Sequence, residues 1–197
     1  MKRNIEIVAE IAQGYEGNIK LTELLTTAAI ASGADAVKFQ LVFADELATP
    51  DYQYYDLFKS LEMSKSEWER TRDKIHSNGQ KLYFDVFGRE SMSIAKEVFA
   101  DGVKITTTDF YNKALINEAL GSFGKVLISI GGIPIEDVDL MVVNLAKDFH
   151  NKICLMYGLQ SEPTPLEQNN LSKFKVLQNR FPSYEFGFMD HSDGGIE

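Results

Sequence analysis

One cysteine, one tryptophan, three histidines and five prolines in 197 residues are scarce enough that each shortage excludes something. The single thiol, Cys154, rules out an internal disulfide framework, and its place in the apolar run KICLMYG marks it as a small buried hydrophobe. A reducing, cytoplasmic setting suits that usage. The histidines show no HxH or HExxH spacing, and no CxxC is present, so motif alone specifies no metal. Basic residues are also short, 20 against 29 acidic ones, for a net charge of -9. Such a chain has no general attraction to nucleic acid or to an anionic membrane, and an anionic ligand needs lysines placed locally. Long apolar runs are missing too. The opening MKRNIEIVAEIA is basic, but Glu6 and Glu10 interrupt its short apolar stretch, which suits neither a secretory signal nor a membrane span. No linker or low-complexity tract divides the sequence, so residues 1–197 read as a single domain.

What is present is an alternation. The apolar, β-rich runs IEIVAEI, DAVKFQL, KLYFDVF, GVKIT, KVLISIG, KICLMYG and EFGFMD are separated by stretches of helical spacing. Helices are predicted to begin near Leu21, Ser66, Arg89, Asn112, Ile135 and Leu171. Ser64 followed by Glu67 has the form of a capping box, and Pro134 fits a first helical turn. Seven strands and six helices in βα order predict an α/β protein with a parallel sheet. The first loop lacks GxGxxG and no P-loop occurs, which favours a TIM (β/α)8-type barrel over a doubly wound sheet. The seventh run lies just before Glu197, so the barrel reads as truncated after strand 7.

In such barrels the C-terminal ends of the strands gather side chains from many elements into one mouth. Candidate residues there are Glu10, Lys38 with Gln40, Asp85, Lys104 with Thr106 to Asp109, Ser129, Gln160, Glu162, Asp190 and His191. Lys38 lies between Val37 and Phe39, and Lys104 between Val103 and Ile105, where an ammonium is costly without an anion. Two readings stand for these lysines: a phosphate or carboxylate ligand, or ion pairs with Glu10, Asp85 or Asp109. His191, at a strand end beside Asp190, fits a metal ligand or an acid/base group, whereas His76 and His150 read as ordinary surface residues. The long connection Leu41 to Ser64 carries Tyr52, Tyr54, Tyr55 and Phe58, which suit either a pocket cover or a short helix over YYDLFKSL.

Taken in order, IVAEIAQGYEGN, SGADAVKFQ, YYDLFKSLEMSKSEW, GKVLISIGGI, EPTPLEQNNL and FGFMDHSDGGIE resemble the catalytic barrel of the N-acetylneuraminate (sialic acid) synthase family. The resemblance implies a transferase that condenses phosphoenolpyruvate with an N-acyl amino sugar and releases phosphate. It implies a divalent metal, Mn or Mg, with His191 as one ligand. Lys38 and Lys104 match lysines that hold phosphoenolpyruvate, and Glu10 and Asp109 match catalytic positions. Gln40, Asp85, Thr107, Ser129, Gln160 and Glu162 match substrate-binding ones. It further implies a cytoplasmic homodimer with a C-terminal antifreeze-like domain, for which this sequence has no counterpart.

The departures are specific. An Asn-His pair common in the family is Gly14 and Tyr15 here, the STPF pattern reads FDVF so that Asp85 replaces a threonine, and GSGE reads TTTD. HCT reads YGL, Met189 replaces a serine, and Gln160 and Glu162 replace an Asn and a Tyr. They admit a divergent synthase, a non-catalytic relative that binds a sugar phosphate or a protein partner, or another barrel aldolase using a lysine Schiff base.

Overall fold

A computed structural model describes residues 5–145 and 147–192. The chain forms two compact units, one running to Lys104 and including Gly121–Phe123, the other comprising Ile105–Leu120 and the chain from Gly124.

The first unit contains strands β1 (Val8–Ala12), β2 (Ala36–Gln40) and β3 (Lys81–Val86), with β4 (Gly102–Ile105) at its boundary. Its helices are α1 (Ile19–Ala31), α2 (Ala44–Leu47), α3 (Tyr55–Ser60), α4 (Lys65–Ser77) and α5 (Arg89–Glu97). Asn18 starts α1 by accepting from the Lys20 and Leu21 amides. Ser64 and Glu67 start α4 as the capping box that the sequence predicts. The second unit contains α6 (Lys113–Ser122) up to Leu120, then β5 (Lys125–Ser129), α7 (Ile135–Asn144), β6 (Ile153–Tyr157), α8 (Ser172–Arg180) and β7 (Glu185–Phe188).

Strand order follows sequence order, β1-β2-β3-β4 in the first unit and β5-β6-β7 in the second. The pairings β1–β2, β2–β3, β5–β6 and β6–β7 are parallel. Sequential parallel strands joined through helices are the α/β plan of a TIM-type barrel carried through its seventh strand, in agreement with the sequence.

Alternation along the strands decides which side chains meet the helices. Trp68 of α4 packs edge-on against Phe39 and Phe84, with ring centroids 5.3 and 5.1 Å away, and against Tyr15 at 5.2 Å. Phe39 and Phe84 therefore face the helix layer. Their neighbours Lys38, Gln40, Tyr83 and Asp85 face the other side of the sheet.

Two expectations need correction. Eight α-helices occur among the described residues rather than six, because the Leu41 to Ser64 connection holds α2 and α3. The short-helix reading of YYDLFKSL is the one observed, with Tyr52 stacked on Phe58 at 6.2 Å while Tyr54 and Leu57 stay exposed. Pro134 sits just outside α7 instead of in its first turn. The end of the sequence at Ile196 and Glu197 lies outside the described residues. No helix among those described is long and apolar enough to cross a membrane.

Candidate active site

Parallel register sets the polar face of the first unit. Glu10 lies opposite Lys38, and Gln40 opposite Asp85, so residues 28 and 45 positions apart become neighbours. The β1 ladder slips between Glu10 and Ala12, whose φ of 53° is in the left-handed region. There the Ala12 amide donates to Glu10 Oε1 at 2.9 Å. This bulge fixes the carboxylate at the strand exit.

Around these residues a four-membered charge network forms. Lys38 Nζ pairs with Glu10 Oε2 and, at 2.6 Å, with Asp85 Oδ1. Lys104 Nζ takes the other oxygen, Asp85 Oδ2, at 2.8 Å. Asp85 is 1% exposed and Lys38 5%, whereas the Glu10 side chain is 43% exposed, so the network runs from the protein interior to solvent. Burial on its own would push the Lys38 ammonium's pKa down, but Asp85 and then Glu10 reverse that and hold it above the ordinary lysine value. Of the two readings of the lysines, ion pairing with Glu10 and Asp85 is what the structure contains. An ammonium held protonated in this way is a poor nucleophile, which argues against a Schiff base at Lys38.

Gln40 reaches across to Gln13, whose Nε2 donates to Gln40 Oε1 at 2.8 Å, while the Tyr15 hydroxyl donates to the Gln40 carbonyl at 3.0 Å. Tyr15 is fully buried, and burial raises its pKa, keeping it a donor. Gln13 carries no signal in the sequence until the β1–β2 register is known, and Tyr15 is marked there only as half of a departure from the family's Asn-His pair, not as a site residue. Glu46 of α2 is a third such residue. Its carboxylate accepts from the Glu90 amide at 2.5 Å and the Ser91 amide at 3.3 Å, occupying the N-terminus of α5. A Cβ on Gly88 would fall 2.5 Å from Glu46 Oε1, so the bare glycine backbone lets the carboxylate sit where it does.

In the second unit, Thr107 Oγ1 and the buried Ser129 Oγ share a hydrogen bond of 2.6 Å. Asp109 accepts from Thr106 Oγ1 and Asn112 Nδ2, each at 3.3 Å. Gln160 and Glu162 are exposed on the connection after β6. A Cβ on Gly131 would come 3.0 Å from Gln160 Nε2, so the bare backbone lets that connection approach the exit of β5. His191 Nδ1 lies 2.7 Å from the Leu159 carbonyl, and the Thr164 amide donates to the His191 carbonyl at 2.7 Å. A carbonyl partner requires the proton on Nδ1, which makes Nε2 the lone-pair nitrogen of the neutral ring, the kind of atom that ligates a metal. Among the described residues, however, no group of three or more His, Cys, Asp or Glu could hold a metal ion. A complete metal shell therefore does not arise from them. Of the other histidines, His76 is exposed and paired with Asp101 at 2.8 Å, as a surface residue should be. His150 is half-buried, its ring 4.8 Å from that of Tyr184.

Comparison with known proteins gives this chain a family. The family model described as NeuB family matches residues 25–197. The Bacillus subtilis spore coat polysaccharide biosynthesis protein SpsE is 27% identical over 97% of this chain and 54% of its own length. The N,N'-diacetyllegionaminic acid synthase of Legionella pneumophila is 24% identical over 95% of this chain and 58% of its own. This chain thus spans little more than half the length of these curated relatives. Among solved structures, the N-acetylneuraminic acid (sialic acid) synthetase of Leptospira borgpetersenii superposes with a TM-score of 0.87 at 23% identity, covering 98% of this chain and 70% of that one.

Proposed function

Because the chain belongs to the NeuB family, we propose that it is a nonulosonic acid synthase that joins phosphoenolpyruvate to an N-acyl amino sugar and releases phosphate. The supporting observation is the pair of lysines, Lys38 and Lys104, converging on one buried point at the exits of β2 and β4. In the reaction, the enol carbon of phosphoenolpyruvate forms a bond to the sugar's aldehyde carbon. Water adds to the resulting cationic centre, and the C–O bond to phosphate breaks. Negative charge collects on the departing phosphate, where fixed ammonium groups favour the transition state over the ground state. Glu10, the exposed carboxylate of the network, is suited to receive the proton of the incoming water.

Gln40 would meet the sugar side, its amide oriented by Gln13. The family resemblance assigns Asp109, Thr107, Ser129, Gln160 and Glu162 to substrate binding or catalysis and His191 to a divalent metal. A bound Mn or Mg would polarise the aldehyde or a water. Among the described residues His191 is the only one assigned to such an ion, and no group of three or more ligands forms around it.

The test is direct. The purified protein, phosphoenolpyruvate, Mn or Mg and a panel of N-acyl amino sugars are assayed for inorganic phosphate, with the nine-carbon keto acid identified by mass spectrometry. Release that requires both substrates is expected, and no turnover across the panel would end this reading. One observation favours a second reading, a non-catalytic relative: the carboxylate of Asp85 already occupies both lysines. That reading expects saturable binding of a sugar phosphate with no product under any metal.

A further inference from the structure

We propose that Asp85 is the specificity-setting residue of the lysine site: an internal carboxylate seated where an anionic ligand's oxygens would sit, so that the site admits phosphate only against it. The geometry points to this. Each Asp85 oxygen is taken by a different ammonium, Oδ1 by Lys38 at 2.6 Å and Oδ2 by Lys104 at 2.8 Å. Two cations arranged about a two-oxygen acceptor are also the arrangement that holds two oxygens of a phosphate. With Glu10 also on the Lys38 ammonium, two ammoniums are matched by two carboxylates. These four groups together carry no excess positive charge to offer an incoming dianion. A buried carboxylate so placed either competes with the ligand or selects one whose anionic group is small and weakly charged.

Position and net charge are separable, because Asp85 and Glu10 belong to the same network and each carries one negative charge. Asp85→Ser removes the charge and vacates the place between the lysines. Glu10→Gln removes the same charge from the exposed end and leaves that place filled. Inorganic phosphate is the probe, titrated calorimetrically into the protein and both variants at fixed ionic strength. Asp85→Ser is expected to bind phosphate at least about tenfold more tightly than the wild-type protein, a modest share of what removing a close, buried charge can yield. Glu10→Gln, which removes a half-exposed carboxylate from the edge of the network, is expected to gain clearly less than Asp85→Ser. Equal gains in the two variants would overturn the proposal in favour of net charge, and no gain in Asp85→Ser would overturn it outright.

The serine variant leaves Lys38 with Glu10 and strips Lys104 of this partner, so its folding is monitored by the emission of Trp68, the single tryptophan. Should it be unfolded in chloride, phosphate at the same ionic strength is expected to restore the native emission. Failure of that rescue would also count against the proposal. The inference rests on the anion site of the proposed synthase, but its readout is phosphate binding. If Asp85→Ser gains phosphate affinity and no substrate turns over, only the synthase reading falls.

Discussion

A lysine that is 5% exposed is tolerable only while its charge is matched, and Lys38 is matched twice. Lys38→Met would leave Asp85, itself 1% exposed, with half of its compensation, and a loss of about 3–5 kcal/mol is expected, measured by denaturant unfolding. A loss under about 1 kcal/mol would mean that solvent already screens the pair. The pH dependence has a definite sign. Folding raises the Lys38 pKa above its ordinary 10.5, so the stabilisation is complete below that pH and fades as pH climbs through the higher folded value. Above about pH 10.5 the Tm of the wild-type protein should therefore fall more steeply than that of Lys38→Met; parallel curves would contradict the linkage. Both lysines were legible in the sequence because a charge between two apolar strand residues demands a partner. The set of possible partners was legible too, as Glu10, Asp85 or Asp109, but not which of them would pair. Asp85 and Lys38 are 47 residues apart, and only the parallel register that sets Asp85 opposite Gln40 brings them together.

At the scale of elements, the connection between β2 and α4 is tied down by a carboxylate on a helix end. Glu46 supplies the acceptor for the first free amides of α5, a position where a negative charge also meets the positive end of the helix dipole. Glu46→Ala is expected to cost about 1 kcal/mol and to speed hydrogen exchange at the Glu90 and Ser91 amides. Gly88→Ala should produce the same exchange signature from the opposite side, since its Cβ would displace the carboxylate. Unchanged exchange in both variants would show that water caps the helix equally well. The six longer helices were readable because nine or more residues display the 3.6-residue period, and α1, α4 and α6 carry side-chain caps as well. The four-residue α2 displays neither and the six-residue α3 was legible only as one of two readings of YYDLFKSL, for both depend on tertiary anchors such as Glu46 and the Tyr55 hydroxyl on Asp45. Trp68 gives a third element-scale prediction. Its edge-on contacts with Phe39 and Phe84 join α4 to β2 and β3, so Phe84→Ala should cost about 3–5 kcal/mol and shift the Trp68 emission transition accordingly.

For the molecule as a whole, the βα alternation was enough to read the fold class, because each strand and helix announces itself locally. The division into two compact units was not readable, since no change in composition marks Lys104 as a boundary. Net charge, by contrast, is a whole-chain property with a consequence for the proposed reaction. A molecule of charge -9 repels phosphoenolpyruvate at long range, and a lysine site already balanced by Glu10 and Asp85 does not reverse the field. Enzymes that steer anions with a positive mouth lose substrate affinity as salt screens the attraction over a Debye length of about 8 Å at physiological ionic strength. Here the opposite dependence is expected. Between low salt and about 0.15 M, screening should leave the KM for phosphoenolpyruvate flat or lower it, by no more than about threefold. The same titration on Asp85→Ser should turn the slope upward, since that site regains a net positive charge. A KM for the wild-type protein that rises severalfold with salt would mean that attraction outside the four-residue network dominates the approach of the substrate.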